Sequence, residues 1–443
     1  MNPKIYYWSI IAALAGFLFG FDTVVISGGD KALQATWNTS DFFHGTVVMG
    51  MALWGTVLGA IFGGIPANRI GRKNSLILIG FLYVISAFGS AFAGDPISFA
   101  AFRFLGGLGV GASTIAAPAY VSEIAPSHAR GRLVALYQFN IVLGILLAFL
   151  SNYLLRNTGE EPWRWMMGLE AVPALLYTLL VFLVPESPRW LASKSRLPEA
   201  EKVLKRIYPE EEVRLQLREI SKKLPETDTG ESIFLKKYRF PLLLAFLMAF
   251  FNQFSGINAL LYYAPRIFEA AGLGESTALL SSIGIGVVNL LFTILGVVLI
   301  DRIGRRQLLL IGSIGYIISL SLVAASFFLD WGGLSVPLFL FLFIAAHAIG
   351  QGAVIWVFIS EVFPNHLRAS GQAFGSSTHW LLAAIIPSMI PFLFSSIGPG
   401  YVFVFFAFMM LLQLGFVLFL MPETKGKSLE ELGLEFSGRD QRT

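Results

Sequence analysis

Three ionisable residues, Asp22, Arg103 and Glu170, lie within long stretches that are otherwise apolar. Each lies about six residues from the end of its stretch, which corresponds to roughly 9 Å of helix. A charge at that depth in a hydrocarbon layer is costly unless it is paired, so such residues are typical of functional sites. One guanidinium between two carboxylates leaves an excess negative charge, and one carboxylate should therefore bind a proton readily. The three residues predict a proton-binding site, and a fixed packing cluster is the alternative.

A second polar group could hold an uncharged ligand that is rich in hydroxyls. Asn252, Gln253, Ser255 and Asn258 place four hydrogen-bonding side chains within about two helical turns. Gly256 lies among them, and broken helices near the membrane midplane are typical of transporter binding sites. Amides bind hydroxyl groups, while aromatic rings stack on the C–H faces of sugars. The pattern predicts a sugar site.

Later stretches add one amide, two indole rings and two imidazoles to the candidates. Asn289, Trp356 and Trp380 could complete a sugar site, although a single Trp in a span more often serves packing. His347 and His379 have no Asp, Glu or Cys close by in the sequence, so we interpret them as hydrogen-bonded interior imidazoles. We expect no metal site and no cofactor.

Short charged motifs occur twice at nearly the same spacing. This repetition indicates a duplicated half, as in transporters built from two repeats. The basic residues could simply anchor the chain at one membrane surface, or the motifs could form an ion-pair latch, and their repetition favours the latch. The matched pairs are 69–73 with 302–306, 122–130 with 360–368, and 185–187 with 422–424.

The elements that position these residues must be membrane helices. The chain has 443 residues, of which 55% are hydrophobic and only 14% are charged. A helix needs about 20 mostly apolar residues to cross a membrane, because lipid offers the backbone no hydrogen-bond partners. Twelve such spans are predicted, at 8–28, 46–66, 75–94, 97–121, 133–155, 165–184, 240–264, 277–300, 307–329, 335–360, 371–395 and 400–421.

The spans define four parts of the chain. Residues 1–184 form an N-terminal six-helix half, 185–239 a cytoplasmic linker, 240–421 a C-terminal six-helix half, and 422–443 a cytoplasmic tail. The linker has mixed charge and should form two to four short interfacial helices.

Basic residues predict the orientation in the membrane. With both termini inside, 27 of the 32 Lys and Arg residues fall on the cytoplasmic side. We therefore expect a multi-pass protein of the cell membrane with both termini cytoplasmic. The net charge of +4 reflects the excess of Lys and Arg on the cytoplasmic side and does not indicate a nucleic-acid-binding surface. The absence of cysteine excludes disulfides and thiolate metal sites.

These motifs together resemble the sugar porter family of the major facilitator superfamily. The resemblance implies an all-α membrane protein with twelve transmembrane helices in two six-helix halves, joined by short cytoplasmic helices. The motifs on which the resemblance rests are Gly-Phe-Asp at 20–22, Arg-Ile-Gly-Arg-Lys at 69–73, Pro-Glu-Ser-Pro-Arg-Trp-Leu at 185–191, Gln-Phe-Ser-Gly-Ile-Asn at 253–258 and Pro-Glu-Thr-Lys-Gly at 422–426.

The resemblance also implies roles for individual residues. Asp22, Arg103 and Glu170 look like the group found in proton-coupled members. Sugar contacts are implied at Gln138, Gln253, Asn258, Asn289 and Trp356. With Arg72, the cytoplasmic gate comprises Glu123, Arg130, Asp301, Arg305, Glu361 and Arg368.

Two positions depart from the family pattern. Asn252 stands where a glutamine is common, and His379 stands beside Trp380 where an amide is common. Both are included among the expected sugar contacts, and both leave the identity of the sugar open.

The leading hypothesis is a proton-coupled symporter for a monosaccharide, with a hexose expected, that works by alternating access as a monomer in the lipid bilayer. The alternatives are a facilitative sugar uniporter and a non-transporting sugar sensor. An enzyme is not expected, because no nucleophile with a base and no metal set is evident in the sequence.

Overall fold

The computed structural model describes residues 2–126, 129–222, 231–364 and 367–426. These residues contain helices and no strand, and twelve helical segments are long and apolar enough to cross a membrane. The prediction of an all-α protein with twelve spans is confirmed. The observed segments begin and end within a few residues of the predicted ones. Most of the predicted tail, 427–443, and part of the predicted linker, 223–230, lie outside the described residues.

The first six spans and the predicted linker contain thirteen α-helices in the described part of the chain. Some spans are made of more than one helix, because short irregular segments interrupt them. The helices are α1 (Pro3–Val25), α2 (Asp30–Trp37), α3 (Asp41–Phe43), α4 (Met51–Phe62), α5 (Gly64–Arg69), α6 (Arg72–Phe92), α7 (Pro96–Ile124), α8 (Arg130–Leu155), α9 (Pro162–Leu169), α10 (Ala171–Val181), α11 (Pro188–Ser193), α12 (Leu197–Leu204) and α13 (Glu210–Lys222).

The last six spans contain eight more helices. A 3₁₀ turn, Lys236–Tyr238, precedes them, and a π-helical stretch, His44–Met49, joins α3 to α4 in the first half. The helices are α14 (Arg239–Phe254), α15 (Ile257–Ala270), α16 (Glu275–Ile303), α17 (Arg305–Phe328), α18 (Ser335–Ile349), α19 (Gln351–Glu361), α20 (Arg368–Ile397) and α21 (Pro399–Phe419).

The chain divides into two compact units. Unit 1 comprises Met1–Val25, Met51–Ala148 and Asn157–Asp228, and unit 2 comprises Ile26–Gly50, Phe149–Arg156 and Thr229–Thr443. Unit 2 therefore includes α2, α3 and the last turns of α8 as well as α14–α21. In each unit, we call the end at which Arg72 or Arg305 begins a helix the basic end.

Unit 1 is built around α7. Its start is fixed by Asp95, whose Oδ1 accepts hydrogen bonds from the backbone N–H groups of Ile97 (2.9 Å) and Ser98 (3.0 Å). Hydrogen bonds from Ser98 hold the pKa of the Asp95 carboxyl below its ordinary value. Gly107 lies against the backbone of Ala52, so α7 and α4 approach closely.

The linker helices described by the structure are α11, α12 and α13, a number within the predicted range. Their apolar faces belong to unit 1, because Leu204, Ile207 and Val213 are buried in the same hydrophobic cluster as residues of α1 and α7. The linker helices therefore pack into the hydrophobic cluster of unit 1 through their apolar stripes.

In unit 2, the predicted weak point at Gly256 is a break between α14 and α15. Gly256 has φ +85°, a left-handed conformation that side chains other than glycine rarely adopt. A Cβ atom there would also lie 2.7 Å from the ring of Phe406. The break leaves Asn252 and Gln253 at the end of one helix and Asn258 at the start of the next.

Candidate functional site

The structure brings the three intramembrane ionisable residues together inside unit 1. Asp22, Arg103 and Glu170 are each 1% exposed. Arg103 donates from Nη1 to Asp22 Oδ1 (2.5 Å) and from Nη2 to the backbone carbonyl oxygen of Asp22 (2.8 Å). One guanidinium thus binds both a carboxylate and a carbonyl of α1. Because both groups are buried, removing either partner would leave an unpaired charge in a dry site.

Glu170 completes this group from a helix break that the sequence did not predict. It lies between the end of α9 and the start of α10, and its carboxyl group faces that of Asp22. Glu170 Oε1 has no hydrogen-bond partner among the described residues. Two carboxyl groups that share one guanidinium cannot both be ionised without repulsion. The arrangement can hold a proton.

A chain of amide side chains surrounds the break in unit 2. Gln253, which is 1% exposed, is its centre. Its Oε1 accepts from Asn258 Nδ2 (2.8 Å), and its Nε2 donates to Asn252 Oδ1 (2.9 Å). The same Nε2 lies 3.1 Å from Nδ1 of His379. Each amide can both donate and accept, so the group matches the hydroxyls of a sugar.

The chain continues through two glutamines that the sequence analysis missed. Asn252 Nδ2 lies 3.5 Å from Oε1 of Gln351, and Gln351 Nε2 donates to Gln413 Oε1 (2.7 Å). Gln413 Nε2 in turn donates to Ser313 Oγ (2.8 Å). Both glutamines are fully buried within spans, and an amide in an otherwise apolar span must find a polar partner.

Aromatic rings lie beside the amides. The ring centroid of His379 is 5.0 Å from that of Trp356 and 5.0 Å from that of Trp380. His347 Nδ1 is 2.6 Å from the hydroxyl of Tyr316. Among the described residues no cluster of His, Asp or Glu could hold a metal ion.

Two predicted sugar contacts are not bonded to the amide chain. Asn289 is 7% exposed on α16, and its Oδ1 accepts from Thr293 Oγ1 (3.3 Å) of the same helix. Gln138 is half-buried on α8 and belongs to unit 1, whereas the amide chain belongs to unit 2. Their part in sugar binding stays a prediction.

At the basic end of unit 1, the repeated motifs form one hydrogen-bonded cluster. Arg72 pairs with Glu123 at 2.9 Å, and Glu123 also accepts from the hydroxyl of Ser187 (2.5 Å). Oε1 of Glu186 accepts from the backbone N–H groups of Arg72 (2.9 Å), Lys73 (3.1 Å) and Ser187 (2.8 Å). Glu186 therefore caps the first turn of α6. Burial raises the pKa of Glu186, although these backbone donors oppose the shift.

Unit 2 contains the same cluster at its own basic end. Arg305 pairs with Glu361 at 2.9 Å, and Thr424 Oγ1 donates to Glu361 Oε2 (2.6 Å). Glu423 Oε1 accepts from the N–H groups of Arg305, Thr424 and Lys425 at 3.0 Å each. Its Oε2 accepts from Arg306 N (3.0 Å), so this cap uses both oxygens. The motifs that match in the sequence therefore form equivalent hydrogen-bonded clusters, one in each unit.

The remaining gate residues occupy the edges of these clusters. Asp301 pairs with Arg305 at 3.1 Å, and Arg130 Nε donates to the backbone carbonyl of Ser122 (3.1 Å). Arg368 is half-buried at the start of α20. The Arg–Glu pairs at 2.9 Å each join residues of one unit.

Twelve membrane spans, duplicated motifs and two buried polar sites define a membrane transporter of the major facilitator fold. The chain belongs to the family of sugar (and other) transporters, because that family's model matches residues 8–436. It is 36% identical over 433 residues to the arabinose-proton symporter of Bacillus subtilis. That alignment covers 96% of this chain and 93% of the symporter. It is 34% identical over 469 residues to the D-xylose-proton symporter of Escherichia coli, covering 97% and 95%.

A solved structure shows the same fold. The inward-open conformation of the xylose transporter XylE from E. coli aligns with a TM-score of 0.87 at 33% identity. The alignment covers 97% of this chain and 99% of that chain. The predicted fold and family are confirmed.

Proposed function

We propose that this protein is a proton-coupled monosaccharide symporter that works by alternating access in the cell membrane. The observation that carries the proposal is the buried group in unit 1, in which Arg103 binds Asp22 while Glu170 faces the same carboxyl. Relatives that are sugar–proton symporters cover nearly the whole chain. A merely structural ion pair would not need a second buried acid.

Coupling follows from the choice of partner for Arg103. When Asp22 is ionised, Arg103 binds it, as in this structure. When Asp22 is protonated, its attraction for the guanidinium falls, and Glu170 becomes the stronger partner. Two arrangements of α1, α7 and the α9–α10 junction result, and a proton shifts the balance between them only through its different affinity for the two.

The sugar binds at the amide chain of unit 2 in this proposal. Its hydroxyls replace amide–amide bonds such as Asn258 to Gln253, so no buried polar group is left unpaired when the site fills or empties. The proposed contacts are Gln138, Asn252, Gln253, Asn258, Asn289, Trp356, His379 and Trp380.

The basic ends of both units are cytoplasmic in this proposal, as are both termini, because cytoplasmic loops retain Lys and Arg. The ion pairs there form the inner gate. Its proposed members are Arg72, Glu123, Arg130, Asp301, Arg305, Glu361 and Arg368. The chain acts as a monomer, and its activity is transport and not catalysis.

Transport by purified protein in liposomes tests the proposal. Counter-flow with a panel of labelled sugars identifies the substrate, and an imposed proton gradient should then drive its accumulation. Asp22→Asn imitates the protonated form and cannot titrate, so it should exchange sugar in counter-flow yet fail to accumulate it. The control is Glu161→Gln, which alters an exposed acid paired with Arg164 and should accumulate sugar normally.

Two results would contradict the proposal. If Asp22→Asn still concentrates sugar, the buried group in unit 1 is structural. If the protein with its natural sequence exchanges sugar but never concentrates it under a proton gradient, the protein is a facilitative uniporter.

A further inference from the structure

A second buried group of ionisable residues lies in unit 2, at the end opposite the basic end. Asp30, the first residue of α2, is 2% exposed, and His44 is fully buried. His44 Nε2 lies 2.8 Å from Asp30 Oδ1. Arg266 of α15 donates from Nε to Asp30 Oδ2 (2.5 Å) and from Nη2 to Asp30 Oδ1 (3.1 Å). One buried carboxylate is therefore bound by both an imidazole and a guanidinium.

The three residues come from different parts of the sequence. Asp30 and His44 belong to the first-half segment 26–50, whereas Arg266 belongs to the second half. The contacts close this end, since α2 and the π-helical stretch pack on α15 and α20 there. Alternating access requires this end to open in turn, and opening must part the first-half segment from α15. Arg266 then leaves Asp30, while His44 stays with it.

We propose that Asp30 and His44 form a second proton-binding site, in which a proton on His44 replaces Arg266 as the charge partner of Asp30 when this end opens. In the closed arrangement, Arg266 already neutralises Asp30, and a protonated His44 would place two positive charges beside one carboxylate. In the open arrangement Asp30 has lost Arg266, and a protonated His44 neutralises it. Acid on this side therefore favours opening. This inference rests on the alternating access of the proposed function.

The other charged groups nearby do not reverse the preference of a protonated His44 for the open arrangement. Asp41, three residues before His44, is bonded to Gln34 (2.7 Å) and stays with His44 in both arrangements. Lys31 and Glu269 pair with each other. Gln34 Oε1 accepts from Arg266 (2.5 Å), and Tyr263 places its ring 5.9 Å from the guanidinium.

His44 also has uncharged polar neighbours. Its Nδ1 lies 3.4 Å from Thr39 Oγ1, so both ring nitrogens have polar neighbours. α20 brings Ser388, which lies against Gly45, and Ser395, which is bonded to Asp41. Arg156, at the end of α8, donates to the backbone carbonyl of Tyr153. Opening also separates Lys31 from Glu269 and Gln34 from Arg266, but the interaction that Asp30 itself loses is the one with Arg266.

The experiment measures how readily this end opens as a function of external pH. Ser388 of α20 is buried against Gly45 of the first-half segment, and the chain has no cysteine of its own. Ser388→Cys is labelled with a membrane-impermeant maleimide in liposomes between pH 5 and 8. Its rate is divided by that of Glu160→Cys, an exposed position that corrects for ionisation of the thiol. Every protein also carries Asp22→Asn, which removes the response of the unit 1 acid.

The corrected labelling rate should rise as the pH falls from 8 to 5. The rise should be at most about tenfold per pH unit, because one proton distinguishes the two arrangements. His44→Gln keeps a hydrogen bond to Asp30 but cannot titrate, so its corrected rate should not change with pH. Asp30→Asn should give faster labelling at every pH, because Arg266 loses its charge partner.

A corrected rate that does not depend on pH before His44 is changed would overturn the proposal, as would a pH response that persists in His44→Gln. If His44→Gln fails to fold, Asp30→Asn decides, because labelling of that variant that is no faster than before Asp30 is changed also overturns the proposal. The labelling assay needs no sugar accumulation. A failure of proton-coupled transport is therefore distinguishable from a failure of this gate.

Discussion

Replacing Gln253 should weaken sugar binding and stability together, and the two effects can be separated. Gln253→Leu keeps the approximate volume but removes every hydrogen bond of the amide. Asn252 Oδ1 and Asn258 Nδ2 each lose the bond at 2.9 or 2.8 Å that they make with it. A buried polar group without a partner costs about 1–3 kcal/mol, so the free energy of unfolding should fall by roughly 2–6 kcal/mol.

The loss in sugar affinity comes from the contacts that Gln253 makes with the ligand. Two sugar hydroxyls that bind this amide would lose about 1–3 kcal/mol together, which is roughly a 5- to 150-fold increase in Kd. Isothermal calorimetry on purified protein measures Kd. The indole fluorescence of Trp356 and Trp380, which flank His379, reports the same titration.

The matched control is Gln413→Leu. Gln413 is fully buried at the far end of the same amide chain, where it bonds Gln351 and Ser313. Its replacement should lower stability to a similar degree and leave Kd within about twofold, a change of roughly 0.4 kcal/mol. Equal Kd values for Gln253→Leu and the unchanged protein would refute the placement of the sugar at this amide. Equal losses of affinity in both variants would show that Gln253 acts only through stability.

Three further predictions concern the basic ends of the two units. Neutralising Glu123 and Glu361 together should open the inner gate and speed labelling of cysteines introduced near it. The control is Glu199→Gln, which removes an exposed ion pair of the linker and should have no effect, because exposed pairs contribute little. Unchanged labelling in the double variant would leave these residues as anchors. Glu423→Gln should lower the free energy of unfolding by about 1–3 kcal/mol more than Glu186→Gln, because Glu423 accepts through both oxygens and Glu186 through one. Since burial raises the pKa of Glu186, folding favours its protonated form, and the free energy of unfolding should fall as the pH rises from the ordinary pKa of a glutamate to the raised one. Glu186→Gln should flatten this pH dependence of stability. An unchanged pH profile in that variant would contradict the prediction.

The sequence was sufficient for the spans and for the buried acids, because both follow from the cost of placing polar groups in lipid. Hydrophobic runs can be counted without a structure, and Asp22, Arg103 and Glu170 interrupt those runs. Gly256 was identifiable for a similar reason, since glycine among amides within a span is a weak point. The break at Glu170 was not predicted, although Gly168 and Pro173 flank it and carried a usable signal.

Contacts between distant residues were beyond the sequence. Arg266 and Asp30 are 236 positions apart, and both stand near span ends, where charged residues ordinarily face water. Glu123 was expected in a charge set with Arg72 and Arg130, but which arginine it would pair with depended on packing. Gln351 and Gln413 carried a usable signal, since each is an amide in an apolar span.

The caps at the basic ends also bear on biosynthesis. Glu186, which caps α6, comes 114 positions after Arg72, and Glu423, which caps α17, comes 118 positions after Arg305. The ribosome therefore supplies Glu186 before any helix of the second half, and the first half can reach its final hydrogen bonding early. Glu423 is made only after all of α17 to α21. A chain that stops between α21 and Glu423 would contain all of α17 to α21 but would leave the first amides of α17 without this cap.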